Sequence, residues 1–427
     1  MRMLGCVMLV CGALLLAPRN AGAAPFAYIP GDGSLIPLPG KVTVIDVATN
    51  TVITKITLST FPGNPRGVAV SPDGAHVYVT DSSGGVFAIG TATNAVTATL
   101  SALLGPDSTG VAAAPDSRRI YVAHKQGTGS SGAVSAIDAA TFKVIATVPV
   151  GAQPLGVAIT PDGTRVYAAN QGDSTVSVIS TSTHRVTATV SVGAAPFAIA
   201  ITPDGTRAYV TNSGGNSVSV IETAGNTVMA TVALNRIRPF GVAITPDGAR
   251  AYVATHGSHS VSVVDTATNT VTATIPTSPN PLAVDVTPDG ARVYVANSNF
   301  VSAQGAVDVI STATNTVTGT ISVLKTTGFG KFITPAPPSP PDSPDTIVVS
   351  PPDFPYKVTF EERCVESIAR LCLRKEVVRV CVGGNCFTPP PAPPPPICVR
   401  CALGLGLALG AALAAIGAML LMRRRRP

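Results

Sequence analysis

His256 and His259 stand in "THGSHS" with two residues between them, a spacing that could set two imidazoles on one metal ion. The sequence fixes no third donor, so the metal stays unknown and polar loop residues are the plainer reading. Arg66, Arg236 and Arg238, in "PGNPR" and "NRIRPF", could ring an anionic ligand, because a guanidinium presents a planar fork of donors. Solvated surface arginines are again the plainer reading. His124, beside Lys125 in "AHKQGTGSSG", and Asp285, which takes an apolar or alanine slot in "PLAVDV", complete the ligand-binding candidates. Asp81, Asp107 and Asp173 fall in the same family of loops. No Ser, His and Asp set has a recognisable context, so no catalytic residue is assigned and no cofactor is expected. "CVRC" lacks the His that follows in c-type haem attachment.

Six cysteines, Cys364, Cys372, Cys381, Cys386, Cys398 and Cys401, crowd the end of the chain, and none lies between Cys11 and Cys364. An even number in an exported segment predicts disulfides, with the connectivity open. The alternative is zinc held by Cys381, Cys386, Cys398 and Cys401.

Export is read from the first residues. Arg2, the apolar run "MLGCVMLVCGALLLA" and "AGA" at 21–23 form a signal peptide over 1–23. At the other end, 402–422 is an uncharged run long enough as a helix to span about 31 Å. Four arginines, 423–426, follow at once and place that end in the cytoplasm. Such an end also resembles a cleaved C-terminal sorting signal; a permanent anchor is the reading adopted. The formal charge of +6 comes from these flanks. Without Arg2, Arg19, Arg400 and Arg423 to Arg426, 22 cationic residues face 23 acidic ones, so no basic body exists for nucleic acid.

The elements that position the candidates repeat. "PDG" occurs at 72–74, 161–163, 203–205, 246–248 and 288–290, with "PDS" at 115–117, so the period is 42 to 46 residues. Each copy joins a short apolar run to a Tyr run such as "RVYVAN", a tight-turn hairpin. A second hairpin follows, as in "VSVVDTATNTVTATI", with period-two alternation. Four short strands per period predict a β-propeller. The second hairpin occurs seven times, but a complete first hairpin only six; "FAYI" at 26–29 has no apolar strand before it. "GFGKFIT", 328–334, supplies that strand, so a seven-bladed ring closes by pairing the N- and C-terminal strands.

"YVTN" at 209–212, with "YVTD", "YVAN" and "YAAN" at the equivalent places, resembles the YVTN β-propeller repeat family of bacterial and archaeal surface proteins, over 26–334. The resemblance implies the fold and leaves function open. The expected organisation is an all-β seven-bladed propeller over 24–334, a Pro-rich linker over 335–355 and a small Cys-rich module over 356–388. A polyproline stalk with CxxC (389–401), a transmembrane helix (402–422) and an Arg tail (423–427) follow. The expected function is a membrane-tethered extracytoplasmic scaffold at the cell surface or in the periplasm, binding a protein, small molecule or glycan. The alternative is a lactonase-like hydrolase or an oxidoreductase with a site at the channel mouth.

Overall fold

The computed structural model describes residues 25–31, 39–100, 107–125, 132–235, 238–298, 304–335, 345–349, 358–368, 371–382 and 385–387. Two compact units divide at Pro337 and Pro338. The first is a seven-bladed propeller with almost no helix, a single 3-10 turn at His256–Ser258 among the described residues. Blade 1 begins with Phe26–Gly31, Pro39–Asp46 and Thr51–Pro62; blades 2 to 7 each use four consecutive antiparallel strands. Blade 5 is representative: Pro196–Ile201, Arg207–Asn212, Ser217–Glu222 and Thr227–Ala233, from channel to rim. The middle strands are buried on both faces, as Tyr209, Val210, Val218 and Val220 are, because neighbouring blades stack face to face. The rim strand is mostly exposed and buries Val232 on the blade, which suits its mixed Thr and apolar composition.

The tight turns are held locally. Asp162 accepts hydrogen bonds from Thr160 Oγ1 at 2.5 Å and from the Thr164 amide at 3.0 Å, while Gly163 takes φ +70°. Asp204, Asp247 and Asp289 repeat the arrangement. The second turn carries a latch between blades. Its last residue is left-handed, φ 51° to 56°, in all seven copies, and in five of them it is Asn, which tolerates that conformation. The Tyr hydroxyl of the preceding blade donates to that Asn: Tyr28 to Asn94 at 2.7 Å, Tyr167 to Asn226 and Tyr209 to Asn269 at 2.8 Å, Tyr252 to Asn315 at 3.1 Å, and Tyr294 to Asn50 across the closure. Phe142 and His184 replace Asn at the other two seams, and Tyr78 stacks on Phe142 with ring centroids 6.4 Å apart. Tyr209→Phe should therefore cost about 1 kcal/mol of stability with the fold unchanged. Chemical denaturation that finds no loss would show the latch to be neutral.

Closure differs in one respect from the sequence expectation. The terminal segment does line the first strand: the Tyr28 amide donates to Phe332 O and the Thr334 amide to Phe26 O at 2.9 Å, and the Thr327 amide to Pro30 O at 3.1 Å. Antiparallel bridges join Ala27 to Ile333 and Gly31 to Thr326. Midway, however, Phe329–Lys331 pairs in parallel with Gly67–Ala69 of blade 2, so the segment stitches two blades. Gly330 makes this possible: its φ is +127°, and a Cβ there would lie 2.1 Å from Val68 O. The chain then leaves on the tight-turn face, where Pro335 lies beside Gly74.

The second unit contains the four-stranded sheet Asp345–Val349, Val358–Ile368, Leu371–Val382 and Asn385–Phe387, paired in that order. Its first strand falls inside the stretch read as a linker. No helix of the described residues is long and apolar enough to cross a membrane, and 402–422 lies outside them, as do the signal segment 1–23, Cys398 and Cys401.

Candidate functional site

The longer loops feed the channel strands on one face of the ring. Each such strand in blades 2 and 4 to 7 opens on a proline, and the next residue is Arg66, Leu155, Phe197, Phe240 or Leu282. Phe197 lies 4.5 Å from Phe240 and 4.9 Å from Phe329, centroid to centroid. Rings from blades 5 and 6 and from the closing segment thus meet across the axis. Phe197 keeps part of its surface exposed, whereas Phe240 and Phe329 are buried. The Arg238 guanidinium sits 5.4 Å from the Phe240 ring, within cation–π range. The backbone of Arg66 runs beside Gly328, one residue before Phe329. An aromatic row therefore crosses this face, with the Arg238 guanidinium over one end and the Arg66 backbone beside the segment that carries the other.

Arg66 is half-exposed, and its guanidinium stands 4.0 Å from the Asp107 carboxylate, a loose surface pair. Arg238 has left-handed backbone, φ 59°, and its amide donates to Asn216 Oδ1 at 2.9 Å. Arg236 lies outside the described residues.

His256 and His259 meet different neighbours. The His256 ring is buried edge-on against Phe240 at 4.9 Å. Burial, then the charge of Arg238 and proximity of His259, push its imidazole down to about 4. His259 Nδ1 already accepts the Asn280 amide at 3.0 Å. Among the described residues no group of three or more His, Cys, Asp or Glu is placed to hold a metal.

The other two ligand candidates sit inside the scaffold. His124 is buried, and its Nε2 pairs with Ser135 Oγ at 2.9 Å. That is the position of Asn170 on Ser177, Asn212 on Ser219 and Asn297 on Asp308, a pin between the second and third strands of a blade. Asp285 is buried too, and its Oδ2 accepts the amides of Phe332 and Ile333, each at 2.8 Å. Its carboxylate clamps the closing segment. Burial raises its pKa to about 6, against the partial offset of Lys331 and the three amides it accepts. Among the loop acids, Asp81 ties its own loop through Ser83 and Gly85, and Asp173 accepts the Ala152 amide.

The sequence reading missed the aromatic row. Its signal was there: Pro-Phe opens two channel strands, and "GFG" opens the closing one.

No curated protein matches the chain. Solved structures share the fold. A chain of Kuenenia stuttgartiensis hydrazine synthase is 24% identical with TM-score 0.55, over 64% of this chain and 90% of that one. A functionally unknown protein from Desulfotomaculum acetoxidans is 20% identical with TM-score 0.59, over 71% and 98%. Residues 66–276 match the choice-of-anchor I domain, and with the seven-bladed ring this match supports a surface-associated β-propeller protein.

Proposed function

We propose that the chain is an exported, membrane-tethered propeller of the YVTN type that binds an anionic partner, protein or glycan, on its long-loop face. The observation that carries this reading is the contrast between the faces. On the tight-turn face Asp162, Asp204, Asp247 and Asp289 each accept hydrogen bonds within their own turn, and these bonds, the Thr hydroxyls first, hold the carboxyls below their usual range. Copies that alike offer little to specify a partner. The long loops differ in sequence from blade to blade, and on their face the Arg238 guanidinium lies over Phe240, which packs on the part-exposed Phe197, while Arg66 stands half-exposed.

The test is a binding screen of the ectodomain against envelope proteins and acidic glycans, repeated with two variants. Arg66→Ala with Arg238→Ala should weaken capture at least tenfold, the loss of about 1.4 kcal/mol or more. Asp162→Ala with Asp204→Ala should bind as the wild type does. The reverse pattern, in folded proteins, overturns the placement.

A further inference from the structure

The register of the small sheet points to a disulfide between Cys381 and Cys386. These two are direct Cα partners in the antiparallel pairing of Leu371–Val382 with Asn385–Phe387. Val382 faces Asn385, which leaves two residues, Gly383 and Gly384, between them. A two-residue hairpin is closed by a hydrogen-bonded pair, so the next pair outward is a non-hydrogen-bonded one. Opposed Cα atoms at such a site lie about 4.5 Å apart, inside the span that a disulfide accepts. Cys364 and Cys372 have no such relation: they face Lys375 and Ser367.

The bond has a job at this point. Asn385–Phe387 has three residues and three partners in the sheet, and it is the last strand before the proline run and "ICVRC". Any tension from a C-terminal anchor would enter the module through it. A covalent clip one pair from the turn passes that load to the twelve-residue strand Leu371–Val382 instead of to a few backbone hydrogen bonds. This use rests on the tether proposed above; the bond itself does not.

Formation is ordinary thiol–disulfide exchange. One thiolate attacks the disulfide of an oxidoreductase of the exported compartment and gives a mixed disulfide. The second thiolate then displaces the oxidoreductase sulfur. Two protons leave, and two electrons pass to the oxidoreductase, which departs as a dithiol.

Full-length protein, purified without reductant, should be alkylated, then digested with trypsin and chymotrypsin. Cleavage after Arg379 and Phe387 isolates residues 380–387, which hold Cys381 and Cys386 and no other cysteine. That peptide should be unalkylated and lighter by two hydrogen atoms than its reduced form. Cys386→Ser should make Cys381 alkylatable. Alkylation of both thiols in the wild type, a link from either to another cysteine, Cys381 still blocked in the variant, or stoichiometric zinc would each overturn the assignment. Retention of the pair in a protein that fractionates as soluble would leave the bond standing and remove its load-bearing role.

Discussion

A chain ending at Leu324 should melt far below one ending at Pro337 and aggregate on warming. The missing segment buries Phe329, Phe332 and Ile333, each worth about 1.5–3 kcal/mol of apolar burial. It also removes the hydrogen bonds to Phe26, Tyr28 and Pro30 and the parallel pairing with Gly67–Ala69. Together these amount to several kcal/mol, against a typical domain stability of about 5–15 kcal/mol. What remains is an open ring with the strand Phe26–Gly31 unpaired on its channel side, an edge that invites association with other chains. Differential scanning calorimetry and light scattering on the two chains decide the matter. Equal melting temperatures would mean that the packing and latches between blades hold the ring without the closing strand.

The ring and its blade number were legible because two signals recur along the chain, the second in all seven blades and the first in six. The Pro-Asp-Gly turn fixes one hairpin, and the Val and Thr alternation about "TATN" fixes the other. A count of unmatched strands even located the closing segment. That segment's swing to blade 2 was hidden, since it depends on how closely Gly330 approaches Val68, a contact between residues far apart in sequence. The aromatic row escaped for the same reason: Phe197, Phe240 and Phe329 belong to separate periods and meet only when the ring closes. His124 could have been placed by comparing repeats, because "YVAH" sets it where "YVTN" sets an internal Asn. In the tail, nine prolines masked "DTIVV", which holds none and pairs as a strand. Asp285 was noticed as a carboxylate in an apolar slot, but deviation from a repeat marks any special role. Its partners, Phe332 and Ile333, lie 47 and 48 residues downstream, and only their amides reveal that the role is closure.

Asp285→Ala should lower stability sharply, while Asp285→Asn should keep it and stabilise the protein above pH 6. The Ala variant leaves two buried amides, those of Phe332 and Ile333, without an acceptor, at about 1–3 kcal/mol each. The Asn side chain retains a carbonyl oxygen for both and carries no charge. The pH dependence follows from the raised pKa, about 6 in the folded protein against 3.8 in the unfolded chain. Between those values the folded state binds more protons, so the stability contributed by Asp285 is full below about pH 4 and lost as pH rises through about 6. The full swing is up to about 3 kcal/mol. His256 works in the opposite sense over the same range: its pKa is lowered from 6.5 to about 4, so its contribution is lost as pH falls. Wild-type melting temperature alone will thus show two slopes that partly cancel. The difference between Asp285→Asn and wild type removes the His256 part and should widen in favour of the variant from about pH 4, then level off above about pH 6. A difference that stays flat over that range would mean that Asp285 titrates normally and that solvent reaches the clamp.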